Sequence, residues 1–161
     1  MLLDKILKLG DPLLHEMSEP VSREELINLE DDVDLLDDLI LKFRKIYGMG
    51  RGIAAPQIGL MKRLICLNLK GKRYTIINPK LTDFSKDMME LWDDCMSFPN
   101  LMVKVKRHRS CTLTYRDENW EQKKWKMKDD LSELIQHEYD HLEGILATQR
   151  AIDDRAFRLT I

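Results

Sequence analysis

The sequence lacks the run of about 20 apolar residues that a membrane-spanning helix needs, so no membrane partner is expected. Its three cysteines, Cys66, Cys95 and Cys111, are an odd count and too few for a disulfide framework. They are expected to stay reduced, which places the protein in the cytoplasm. Neither sign of charge dominates: 26 basic residues face 28 acidic ones, a net charge of -2. That balance gives no electrostatic reason to expect nucleic acid as a partner. The opening Met1-Leu2-Leu3-Asp4-Lys5 has no signal-peptide pattern. Internal repeats, low-complexity segments and linkers are missing as well, so residues 1–161 are expected to form one domain. With 43% hydrophobic and 34% charged residues, the composition is that of a globular chain with a real core.

What is present begins with Gly10-Asp11-Pro12, a turn signal. Ser22 and Glu25 fit a capping box. The helix that follows carries Leu29, Val33, Leu36, Ile40, Phe43 and Tyr47 at alternating steps of four and three, one apolar stripe. This spacing predicts a helix from about 30 to 47, stopped by Gly48 and Gly50. Leu64 to Leu69 and Tyr74 to Ile77 read as a hairpin around Lys70-Gly71-Lys72, with Asn78-Pro79 ending its second strand. Met102 to Lys106, Cys111 to Tyr115 and Trp120 to Met127 read as further strands, while Asp83 to Trp92 is ambiguous. Residues 145–161 read as a short tail. Helices and strands are segregated along the chain, which argues an α+β fold.

The strongest chemical signal is His137-Glu138-Tyr139-Asp140-His141, an H-E-x-x-H pattern. On a helix, residues four apart share a face, so both imidazoles can reach one metal ion. Glu138 is then placed to act as a base on water held there. A solvated helix with two chance histidines is the plainer alternative. Against it stand Leu131, Leu134, Ile135 and Leu142 at helical spacing, Asp129 and Asp130 to cap or charge the start, and Gly144 to end the helix. Burying so polar a core without a ligand is costly.

Three stretches together resemble the peptide deformylase family. Gly50-Arg51-Gly52-Ile53-Ala54-Ala55-Pro56-Gln57 matches its G-x-G-[LI]-A-A-x-Q pattern, and Gln136 to Gly144 matches Q-H-E-x-D-H-L-x-G in full. Asp93-Asp94-Cys95-Met96-Ser97 stands where the family usually has E-G-C-L-S. The resemblance implies a fold of short antiparallel strands around a C-terminal metal-binding helix, with a long N-terminal helix. It implies that Cys95, His137 and His141 hold one divalent ion, Fe(II) above all, with Zn, Ni or Co able to replace it. It implies that Glu138 moves the proton, and that the Gln57 side chain and the Met96 backbone N–H stabilise the oxyanion. Substrates would be N-formylmethionyl peptides or nascent chains, bound along Gly50, Arg51 and Gly52 and beside Glu133 and Leu134, by a protein acting as a monomer.

Two residues depart from that pattern where side-chain choice matters. Arg51 stands where the family usually has Val or Ile, and Glu133 lies one turn before His137. The two are expected to approach each other at the pocket rim, or else to point separately into solvent. Asp94 replaces a glycine, and if that position needs a positive φ, Asp tolerates it better than most residues. Two other functions compete. A zinc peptidase also uses H-E-x-x-H and would draw its third ligand from a residue such as Glu143 or His108. A binding protein could keep the fold and turn over nothing.

Overall fold

The computed structural model describes residues 1–161. Ser22 accepts from the Glu25 amide and Glu25 returns a bond to the Ser22 amide, as the capping box requires. The turn they open is first a 3-10 segment, Arg23–Leu29, which widens directly into helix α1, Glu30–Tyr47. The predicted stripe faces inward: Leu29, Val33, Leu36, Ile40 and Phe43 are buried, while Tyr47 lies at the exposed end. Gly48 stops the helix in the left-handed region at φ 71°.

A five-stranded antiparallel sheet follows, in the order β1-β2-β3-β6-β7. Its strands are β1 (Gly52–Ala54), β2 (Leu64–Leu69), β3 (Lys72–Thr82), β6 (Ser110–Arg116) and β7 (Gln122–Lys128). A smaller sheet orders β4 (Met88–Asp93), β5 (Leu101–His108) and β8 (Phe157–Leu159) as β4-β5-β8. Helix α2, Asp130–Leu142, packs on the larger sheet across from α1. Strand β2 shows why. Leu64 and Cys66 join the core under α1, whereas Ile65 and Leu67 join the core under α2. Side chains alternate along a strand, so a run of apolar residues there means that both faces are covered.

One expectation is corrected, and two open readings are resolved. Asn78-Pro79 does not end β3, which continues to Thr82 through an irregularity between Ile77 and Lys80. Asn78 sits there at φ 49°, and its side chain bonds both the N–H and the C=O of Val21. A bulge is where a strand tolerates proline. Asp129 takes the position before α2 but does not cap it; its carboxylate meets Arg109 at 3.4 Å instead. Asp94, finally, is not among the residues at positive φ, so no strain attaches to its replacing a glycine. The chain after α2 is also more ordered than a plain tail: Ala147–Arg150 forms a 3-10 turn and Phe157–Leu159 becomes β8.

Candidate active site

Helix α2 carries Glu133, His137 and His141 at successive four-residue steps, so they form one column facing the end of β4. Cys95 stands just beyond that end. The column and the thiol meet: Cys95 Sγ lies 3.3 Å from His141 Nε2, and the two Nε2 atoms are 3.2 Å apart. All three ligand atoms fall within 4.8 Å of one another, and all three residues are buried. Metal–nitrogen bonds of about 2.0–2.1 Å and a metal–sulfur bond of about 2.3 Å, at tetrahedral angles, would set such atoms roughly 3.3–3.6 Å apart. The observed spacing fits one ion. Buried imidazoles aimed at each other and at a thiol have no better reason to converge.

The next layer fixes these ligands. His137 Nδ1 donates to Asp93 Oδ2 at 2.9 Å, which leaves Nε2 free to bind. Asp93 Oδ2 also accepts from Arg107 at 3.0 Å, and Arg107 reaches on to Asp140 at 2.7 Å. Arg150 closes the chain on Asp140 at 3.1 Å. Burial opposes the charge on Asp93, but His137 and Arg107 hold its carboxyl down at about 2. Burial likewise works to lower His137, yet Asp93 and Cys95 overcome it and raise it well above the usual value. His141 goes the other way, held neutral by burial and by the neighbouring His137.

Glu138 is buried next to this cluster, with Oε2 unpartnered. Burial pushes its carboxyl up to about 7, close to where a base is most useful. Gly52 makes room for it. A Cβ at Gly52 would meet Leu67 at 2.8 Å and both Glu138 and Leu134 at 3.3 Å. Gln57 is oriented by its neighbours: its Oε1 accepts the Ala54 N–H at 2.9 Å, so the amide nitrogen must face the site. There Nε2 donates to Ser97 at 3.1 Å and lies 3.5 Å from Cys95 Sγ. The Met96 backbone N–H, beside it, makes no backbone hydrogen bond.

A cavity of about 320 Å³ opens onto the cluster. Gly50, Arg51, Gly52, Cys95, Met96, Glu133, Leu134, His137 and Glu138 all line it, so the sequence candidates converge on one place. Gln57 and His141 stand behind it, in contact with Cys95. Arg51 and Glu133 do meet, at 2.7 Å, with Asp130 a further 3.4 Å from Arg51. Burial, with Asp93's charge adding to it, pushes the Glu133 carboxyl up to about 7 despite the pull of Arg51. The peptidase ligands do not assemble. His108 is bonded to the Ser85 carbonyl at 2.8 Å and Glu143 to Arg63 at 3.4 Å.

Sequence reading missed Arg107, Asp140, Arg150 and Ser97. One signal for Arg107 was available: it follows Val103 and Val105 at strand period, the inward side of β5, and is 4% exposed.

Comparison with known proteins gives the chain its family. The family model described as polypeptide deformylase matches residues 3–156. A peptide deformylase of Leptospira biflexa is 33% identical over 98% of this chain and 92% of its own length. One from Treponema pallidum is 36% identical over 91% of this chain and 86% of its own. Among solved structures, the peptide deformylase of Thermotoga maritima superposes with a TM-score of 0.84 at 25% identity, covering 92% of this chain and 97% of that one. A Met-Ala-Ser-bound peptide deformylase from Acinetobacter baumannii superposes at 0.83 with 27% identity, covering 90% and 96%.

Proposed function

We infer the function from the premise that this chain belongs to the polypeptide deformylase family. It is a hydrolase that removes the N-formyl group from the amino end of a peptide, releasing formate and a free amine. N-formylmethionyl nascent chains are the substrate class that the family implies. The observation that carries this reading is the convergence of Cys95, His137 and His141 next to an unpartnered Glu138.

Cys95, His137 and His141 would hold one divalent ion, Fe(II) by family resemblance, with Zn, Ni or Co able to take the same donors. Bound there, the ion supplies Lewis acidity that eases ionisation of water and polarises the formyl oxygen. Glu138 takes the proton from the attacking water. It later delivers that proton to the departing amine, so atoms and charge balance. Gln57 Nε2 and the Met96 N–H face the developing oxyanion, each contributing on the order of 3 kcal/mol. Asp93, through His137 Nδ1, keeps that imidazole in the binding tautomer. The peptide lies extended along Gly50, Arg51 and Gly52, where β1 is an edge of the sheet. Its first side chain lodges beside Glu133 and Leu134.

We read residues 1–161 as one catalytic domain acting as a cytoplasmic monomer, without nucleic acid or membrane partner. No helix is long and apolar enough to cross a membrane. The test is formate release from formyl-Met-Ala-Ser by protein loaded anaerobically with Fe(II), beside a Glu138→Gln control. Formate from the parent and none from the control is expected. No formate from metal-loaded parent protein, with this peptide or any other formyl peptide, overturns the reading.

A further inference from the structure

The cavity that holds Cys95, His137 and Glu138 at one end has a charged wall at the other. Glu133 sits four residues before His137 on α2, about 6 Å along the axis. That is within reach of the side chain on the residue whose nitrogen carries the formyl group. The Glu133 side chain is only 12% exposed. Its Oε1 accepts from Arg51 Nη2 at 2.7 Å, while its Oε2 is buried with no partner at all. Asp94, next to Cys95 in sequence, brings a second carboxyl to the same cavity.

The cations nearby are already engaged. Arg44 donates to the Gly50 carbonyl at 3.0 Å and to Asn68 at 3.1 Å. Arg51 is shared between Glu133 and Asp130. The wall therefore has a surplus of acceptors. An apolar side chain pressed against it would strip water from Glu133 Oε2 and return no hydrogen bond. A side chain ending in N–H would satisfy that oxygen, and a cationic one would also answer the excess of carboxylates.

We propose that this wall selects, at the formyl-bearing residue, a side chain ending in a nitrogen donor, lysine- or glutamine-like, over an unbranched apolar one. The proposal rests on the deformylase reading, from which it takes the position of the formyl group. It makes Glu133, held in place by Arg51, the residue that sets side-chain preference.

The test compares kcat/KM for formyl-Lys-Ala-Ser, formyl-Gln-Ala-Ser, formyl-Met-Ala-Ser and formyl-norleucyl-Ala-Ser on metal-loaded enzyme. The expected result is a preference of about tenfold or more for the lysyl and glutaminyl peptides over the norleucyl one. Arg51→Leu/Glu133→Leu should reverse that order. Glu133→Gln, nearly the same shape and still able to bond Arg51, should lose the lysyl preference first. The proposal is overturned if the parent prefers the norleucyl or methionyl peptide, or if the double variant leaves the ratio where it was. Formate from every peptide at equal rates also overturns it, while leaving the deformylase reading intact. If no peptide yields formate, that reading falls, and calorimetric binding of Lys-Ala-Ser against norleucyl-Ala-Ser then decides the pocket: tighter binding of the lysyl peptide supports it, equal or weaker binding ends it.

Discussion

The Nδ1 atom of His137 lies 2.9 Å from Oδ2 of Asp93, and both residues are buried. The carboxylate decides which nitrogen of the ring bears a proton, and so which one can bind metal. Asp93→Ala should weaken metal binding roughly 10- to 100-fold, the usual cost of losing such a partner. Competitive titration against a chromophoric chelator would measure it. Unchanged affinity would show that His137 is held by packing alone.

Gln57 predicts a different signature. Its amide nitrogen faces the site because its oxygen is committed to Ala54. Gln57→Ala should lower kcat by roughly 10²–10³ while the metal stays bound. Metal content by emission spectroscopy, measured beside the rate, separates this from collapse of the centre.

Metal removal should cost stability as well as activity. An ion present at 1,000 times its dissociation constant stabilises the folded state by about 4 kcal/mol. Adding a strong chelator should therefore lower the thermal midpoint clearly, and restoring a divalent ion should recover it. A midpoint indifferent to metal would mean that Cys95, His137 and His141 hold nothing.

Glu133 gives a pH dependence whose sign can be worked out. Its folded carboxyl is raised to about 7 from an ordinary value of 4.5. Below the ordinary value both folded and unfolded chains are protonated there, and the group contributes nothing. Between the two values the folded state holds the extra proton, so stability falls as pH rises through that window. In chelator-treated protein, urea midpoints of the parent should drop from pH 4.5 to pH 7 relative to Glu133→Gln, and run parallel to them above. Parallel curves throughout would place Glu133 in an ordinary aqueous setting.

Gly144 tests the fold. It holds φ +74°, and an added Cβ would sit 2.6 Å from the His15 carbonyl. Gly144→Ala should destabilise the protein by about 1–2 kcal/mol for the backbone conformation, with the clash added to that. Urea unfolding would show it; a loss below about 0.5 kcal/mol, the range of neutral substitutions, would contradict the contact.

How much of this was legible beforehand follows from how far apart the participants lie. Helix α2 was readable because His137 and His141 fix their own geometry within one turn, and α1 because its stripe runs unbroken from Leu29 to Phe43. The third ligand was another matter. Nothing in the residues around Cys95 distinguishes it from buried Cys66 or Cys111, and only the resemblance singled it out. The run Asp93–Arg107–Asp140–Arg150 joins β4, β5, α2 and the turn after it, and no local pattern announces such a chain of charges. Sequence alone shortens strand β3 to Asn78-Pro79 because turn chemistry is visible there and the side-chain bridge to Val21 is not.

The candidate metal ligands occupy positions 95, 137 and 141, and the far end of α2 is buttressed by residues 15–18: the Ser18 N–H donates to the Leu142 carbonyl at 2.9 Å, and Gly144 is pressed against His15. During synthesis, then, residues 15–18 must wait for residues 142–144 before either finds its partner. No fragment ending before His141 can bring Cys95, His137 and His141 together.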